Sequence, residues 1–232
     1  MQEYISIMLD RDQLHANLGD GIPTGSLILL EGDDGAGKSI FSQRLIYGML
    51  QDGKNITYIS TELSTKDFID QMTSVNYMID DYIINQKLLF IPMFPFLGGV
   101  TLKKDFMSRL MKAKELFQSD VVVIDTFSFL LVKDNTTEED CFDVIDFLKK
   151  LTNKNKTIIF TVDPQHLNKS LLTLLRGISD IYFQLGMKSL AGEERKFIKI
   201  NRFKKSKGVV SNVIPFRIQP GNGFIIEIGG LA

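Results

Sequence analysis

Gly32-Asp33-Asp34-Gly35-Ala36-Gly37-Lys38-Ser39 lies between an apolar run, Ser26 to Leu30, and a stretch with helical patterning. A glycine, four variable positions and Gly-Lys-Ser make up the eight-position phosphate loop, and a strand before it with a helix after it is the context that motif requires. The residue types follow from the chemistry. Glycines let backbone N–H groups turn inward around a polyphosphate, and a helix beginning near Lys38 aims the positive end of its dipole at the same anion. The Lys38 ammonium then reaches the β- and γ-phosphates, and the Ser39 hydroxyl falls on Mg2+. Asp33, Asp34, Gly35, Ala36 and Gly37 line the cradle, and Phe41, early in the following helix, is counted with the nucleotide-binding positions. A plain strand-to-helix turn needs a glycine or two; three glycines with Lys-Ser at the matching offset exceed that need.

Outward from the loop, Ile56 to Ser60, Leu88 to Ile91, Val121 to Ile124 and Thr157 to Val162 are short aliphatic or β-branched runs without alternation. Strands buried on both faces of a parallel sheet look like this, with helices covering each side. Thr136 with Glu139 forms a capping box ahead of an apolar stripe, Cys141, Val144, Ile145, Leu148 and Leu151, and Leu102 to Phe117 reads as a second covering helix. After Ser179-Asp180 the texture changes. Ile181 to Phe183, Phe197 to Ile200, Val213 to Ile218 and Phe224 to Ile228, with turn residues between them, predict antiparallel hairpins that extend the sheet. The expected fold class is α/β, a three-layer αβα arrangement whose mainly parallel sheet gains antiparallel strands at its C-terminal side.

A magnesium-bound triphosphate needs a carboxylate at the end of a neighbouring strand, and Val121 to Ile124 delivers Asp125 to the carboxyl edge, where ligands of open α/β sheets bind. Thr126 follows, so the second acid that many nucleotide hydrolases carry there is missing. Glu62, just past the Ile56 to Ser60 run, is the candidate to orient or deprotonate water; an acid in the N-cap region of a helix starting near Ser64 is the competing reading. Thr161 and Asp163 are placed to sense a γ-phosphate, although Asp163-Pro164 also reads as an ordinary turn.

Composition sets the frame. The 232 residues, 44% hydrophobic and 24% charged, suit one folded domain spanning 1–232 rather than two. The 27 Lys and Arg nearly cancel the 28 Asp and Glu, so no global field holds the chain on DNA or an anionic membrane, and any basic surface is local. Cys141 is the only cysteine, which excludes an intrachain disulfide, and two histidines, His15 and His166, argue against a histidine-ligated zinc site. Leu88 to Val100 is broken by prolines and glycines and too short to span a bilayer, and no cationic leader precedes an apolar core, so the expected location is the cytosol.

Residues far from the loop carry a resemblance to a known family. Leu18-Gly19-Asp20-Gly21-Ile22-Pro23-Thr24-Gly25-Ser26 resembles the lead-in to the first core strand of the RecA/KaiC superfamily. Arg202-Phe203-Lys204-Lys205-Ser206 is similar to the Lys-x-Arg-x-Ser/Thr segment of KaiC-like proteins, and Ile214 to Ile218 with Pro220 to Gly223 resembles their closing hairpin. With Asp125-Thr126-Phe127-Ser128 and Ser60-Thr61-Glu62-Leu63 in one short domain, the chain most resembles the ATP-binding accessory proteins of the archaeal flagellum (archaellum) motor. That resemblance implies a RecA-like fold and a cytosolic binder of ATP and Mg2+ with weak or absent turnover. It also implies a ring, expected to be hexameric, beneath the membrane-embedded platform, with the motor's power-stroke ATPase and scaffold as partners and the membrane reached only through them. The chain departs from KaiC at two points: Glu62-Leu63 stands where KaiC has paired glutamates, and arginine and lysine are swapped at positions 202 and 204.

Arg202 and Lys204, two residues apart on a strand, point to one face. In the family that face meets the nucleotide of a neighbouring subunit, which makes both residues candidate ligands in trans. A solvated basic hairpin and a nucleic-acid patch that also draws on Lys199, Lys205 and Lys207 stay open; Phe203 is the one aromatic there, thin support for base stacking. Two other functions stay open as well: a DNA-dependent RecA-like recombinase or repair ATPase, for whose usual N-terminal module the residues before Leu18 leave no room, and a stand-alone KaiC-type signalling ATPase.

Overall fold

The computed structural model of the chain describes residues 2–93, 106–133, 138–190 and 193–227. A small antiparallel pair, β1 (Tyr4–Ile5) and β2 (Ile22–Pro23), brackets the short helix α1 (Leu14–Asn17). The apolar runs then become β3 (Leu27–Glu31), β4 (Ile56–Ser60), β5 (Leu88–Pro92), β6 (Val121–Asp125) and β7 (Thr157–Val162). Helices α2 (Lys38–Gln51), α3 (Thr65–Ser74), α4 (Asp80–Ile84), α5 (Phe106–Lys112), α6 (Phe127–Lys133), α7 (Glu138–Thr152) and α8 (Lys169–Ile178) connect and cover them. Four strands close the chain: β8 (Ile181–Leu190), β9 (Glu193–Phe203), β10 (Val213–Gln219) and β11 (Gly223–Ile226).

Among the described residues these strands form one nine-stranded sheet in the order β11-β10-β9-β8-β3-β7-β6-β4-β5. The absence of alternation in the central runs has the expected cause. Ile28 and Leu30 pack into the cluster under α2, Leu27 and Leu29 into the cluster under α7, and every residue of β3, β4, β6 and β7 is buried. A fully buried leucine or isoleucine contributes roughly 1.5–3 kcal/mol relative to exposure, so these runs specify a sheet covered on both faces.

One expectation is sharpened and one is revised. Ile181 to Phe183 opens the expected antiparallel hairpin with β9, and on its other edge β8 runs parallel to β3, so the antiparallel extension begins at the β8–β9 ladder. The apolar Ile181-Tyr182-Phe183 run follows a helix, so its crossover connection makes it a sixth parallel strand. The stretch Leu102 to Phe117 is not one helix where it is described. Its α-helix ends at Lys112, Ala113 leaves helical geometry, and Lys114–Phe117 form a 3-10 turn that buries the Phe117 ring edge-on to Phe147, 4.8 Å between centroids. Thr136 and Ile228 lie outside the described residues, while the apolar stripe of α7 packs inward as expected, with Cys141, Val144 and Leu148 buried.

The N-terminal segment pins the helix that follows the phosphate loop. Arg44 of α2 is fully buried, donating from Nε and Nη2 to the Asp12 carboxylate (2.6 and 2.7 Å) and from Nη2 to the Ile7 carbonyl (3.0 Å). Removing either charge would strand the other in the interior, which typically costs 3–5 kcal/mol.

Candidate nucleotide-binding site

Backbone geometry explains the loop's glycines. Gly37 is the N-cap of α2 with φ 96°, a conformation that side chains rarely adopt, and a Cβ on Gly32 would sit 2.6 Å from the Leu185 carbonyl oxygen of β8. The Lys38 ammonium folds back onto the loop, donating to the carbonyls of Gly32 (2.8 Å) and Asp33 (2.9 Å). The loop opens into a cleft of about 530 Å3 at the carboxyl edge of the sheet, lined by Gly37, Lys38, Ser39, Glu62, Asp163 and Lys196 among others.

Asp125 ends β6 where the sequence pattern puts it, 2% exposed, and both its oxygens are held. The Tyr58 hydroxyl donates to Oδ2 and the Thr161 hydroxyl to Oδ1, each at 2.8 Å. The Ser42 hydroxyl lies 2.9 Å from that of Tyr58 and 2.8 Å from the Ser39 carbonyl, which ties the carboxylate to the first turn of α2. Burial, and after it the neighbouring Asp125 carboxylate, raises the Tyr58 hydroxyl well above its ordinary value, so Tyr58 remains a neutral donor. Ser39 and Asp125 would be the residues to offer a Mg2+ ion hard oxygen donors here. Among the described residues no three His, Cys, Asp or Glu side chains converge as a metal cage.

Glu62 lines the same cleft and does not cap α3. That role falls to Ser64, whose hydroxyl accepts from the Asp67 amide at 3.2 Å. Glu62 Oε1 instead accepts from the Thr126 hydroxyl at 3.0 Å, and Thr126, with φ 61°, occupies the position of the missing second acid. Thr161 holds Asp125 rather than facing a ligand, and Asp163 both lines the cleft and builds the turn, its Oδ1 accepting from the Gln165 amide (2.8 Å). At the loop's start Glu31 is buried, accepting from the Arg176 guanidinium and from the Tyr182 hydroxyl (2.8 Å). Burial and the bond to Glu31 push that hydroxyl up to about 12.

The structure takes Phe41 out of the ligand set. Its ring is fully buried, edge-on to Phe183 (5.4 Å) and beside Phe224 (5.8 Å), so it fixes α2 against β8 and β11. Arg202 and Lys204 do not join their own subunit's cleft either. Arg202 pairs with Tyr182 near the start of β8, at the opposite edge of the sheet, where its Nη1 donates to the carbonyls of Arg176 (2.6 Å) and Ser179 (2.9 Å) at the end of α8. Lys204 Nζ donates to Asp180 Oδ1 (3.1 Å), so both cations do share one face. Lys196, six residues earlier on β9, is the cation that reaches the cleft, its ammonium on the Gly35 carbonyl. Sequence alone did not single it out, because only the hairpin register brings Met187, its partner on β8, to the carboxyl edge. Tyr58 had a legible signal: a buried strand tyrosine must find a partner for its hydroxyl.

A phosphate loop, a strand-end carboxylate linked to the loop's helix and a parallel sheet with an antiparallel extension define a RecA-like P-loop fold. The family model described as "ATPase: KaiC" matches residues 10–229. Archaeal flagellar ATP-binding protein FlaH of Methanococcus voltae is 36% identical over 99% of this chain and all of its own length, and that of Methanocaldococcus jannaschii is 35% identical over 100% and 99%. The crystal structure of flagellar accessory protein FlaH from Methanocaldococcus jannaschii superposes with a TM-score of 0.92, at 34% identity, over 98% of this chain and 100% of that one. A KaiC-like protein of Pyrococcus horikoshii, at 18% identity and a TM-score of 0.76 over 98% and 100% of the two chains, shares the fold. The chain belongs to the KaiC-like family and, within it, to the FlaH group of archaeal flagellar proteins.

Proposed function

We propose that this protein binds MgATP in the cleft at the carboxyl edge, uses it to stabilise a ring of subunits, and presents that ring to the power-stroke ATPase and scaffold of the archaellum motor. The observation that carries the nucleotide reading is the conjunction of Lys38 in the loop with Asp125 held rigidly by Tyr58 and Thr161 at the neighbouring strand end. A bound Mg2+ would offset phosphate charge beside Ser39 and Asp125. Ile40 and Ile218, on the cleft wall, offer apolar surface to a base. Turnover is slow or absent in this reading, since Glu62 stands without a second acid and already accepts the Thr126 hydroxyl. The protein works in the cytoplasm and reaches the inner face of the membrane through its partners; no described helix is long and apolar enough to cross a bilayer.

Arg202 and Lys204 act in trans in this reading, contacting a nucleotide held by the next subunit. Such a bridge favours the assembled state in proportion to its differential affinity for it. Light scattering with ATP, with ADP and without nucleotide tests the proposal: the mass should rise to that of a ring, expected hexameric, with ATP and Mg2+. A mass independent of nucleotide, with ATP demonstrably bound, would remove the assembly role.

A further inference from the structure

A second concave site lies at the amino edge of the sheet, between the 3-10 turn after α5 and the last turns of α7, on the opposite side of the strands from the nucleotide cleft. Its volume is about 610 Å3, within the usual range for ligand-sized pockets. The floor is apolar: Phe117 and Phe147 meet edge to face, with Met111 and Leu151 beside them. The rim is basic. Lys114, Lys150, Lys154 and Lys156 complete it, and none of the nine lining residues is acidic, in a chain whose formal net charge is −1.

The rim lysines are largely uncommitted. Lys150 pairs with Asp146 at 2.6 Å, an exposed helix-surface pair of the kind worth little and readily exchanged for another carboxylate. Lys156 is held upright by donating to the Gln118 carbonyl (2.5 Å), and Lys114 and Lys154 are exposed with no acidic partner among the described residues. An apolar floor within a one-signed rim is complementary to one chemistry: a bulky apolar anchor flanked by carboxylates. We propose that this groove docks an acidic amphipathic peptide segment of a partner protein, its apolar residue seated on Phe147 and Leu151 and its carboxylates on the lysines. Nucleic acid fits less well, because Phe117 is buried and Phe147 half-buried, so neither offers a ring face to a base. The groove is concave between two elements, which suits a helix ridge better than a flat membrane. It lies across the sheet from the phosphate loop, so both sites can be filled together.

Fluorescence anisotropy tests this, using the full chain and a labelled helical peptide of about 15 residues with a Leu/Phe stripe flanked by glutamates. Saturable binding is expected, weakened about tenfold or more by Lys114→Glu with Lys154→Glu, kept by Lys114→Arg with Lys154→Arg, and lowered by salt. Circular dichroism establishes that the variants are folded. Lys38→Ala should bind the peptide normally, which separates this site from the nucleotide reading. The proposal is overturned by absence of binding, by equal binding of a peptide with lysines in place of the glutamates, by a charge-reversed protein that binds as wild type, or by capture of phosphatidylglycerol vesicles or a thymidine oligonucleotide in preference to the peptide.

Discussion

At the carboxyl edge of the sheet Lys38 and Lys196 turn their ammonium groups onto the carbonyls of a glycine-rich loop, around a cleft large enough for a nucleotide. At the amino edge Arg202 and Lys204 lie against carbonyls at the end of α8 and against Asp180. Lys196 and Arg202 belong to the same strand, six residues apart, a span of about 20 Å at ~3.3 Å per residue. No side chain covers that distance, so the cations of one strand serve two different ends. The comparison teaches that position on a ladder, not membership of a basic segment, decides which anion a cation can meet. Within its own subunit Arg202 finishes a helix and lies out of reach of the nucleotide cleft.

Four substitutions or titrations probe this division. The largest effect is expected from Asp125→Ala, which leaves the Tyr58 and Thr161 hydroxyls buried without their acceptor; about 2–4 kcal/mol of stability should be lost in urea denaturation. Arg202→Ala should cost about 1–2 kcal/mol, because the carbonyls at the end of α8 lose a charged donor, and should leave the ATP affinity of the isolated subunit unchanged while weakening assembly. A fall in that subunit's affinity would break the separation of the two ends. Lys196→Met should do the opposite, lowering ATP affinity about tenfold by calorimetry with little change in melting temperature, and Lys196→Arg should recover most of the loss.

The smallest effect is a pH dependence at the amino edge. Burial works to raise the Asp180 carboxyl, but the Leu27 amide, Lys204 and Lys149 outweigh it and hold the group below its ordinary value. A carboxylate lowered on folding contributes stability that is complete above its unfolded value of roughly 4 and is lost as pH falls through the folded one. Asp180→Asn should therefore flatten part of the loss of stability below about pH 4, read from denaturation midpoints, with no effect on nucleotide binding.

The phosphate loop, the strand delivering Asp125 and the two-sided burial of the central sheet were legible because each depends on local sequence: glycine spacing, β-branched runs and helical stripes. The parallel course of β8 was not, since Ile181-Tyr182-Phe183 looks the same in either direction and only its crossover from α8 fixes the pairing. Lys196 and Phe41 mark the same boundary. A lysine six residues before the recognisable Arg202 segment carries no signal of its own, and an aromatic early in the loop's helix is compatible with a ligand contact until β8 and β11 close over it. The Tyr58–Asp125–Thr161 triad joins three strands, and its partners emerge only from the order β7-β6-β4.

Isothermal titration of ATP with Mg2+ into the wild-type chain and into Lys38→Ala tests the central claim most directly. Saturable binding to the wild type and a loss of about 100-fold or more in the variant are expected, as befits removal of a charge-assisted contact to the terminal phosphates. Equal heats from both proteins, or none from either, would contradict the assignment of the cleft to a nucleotide.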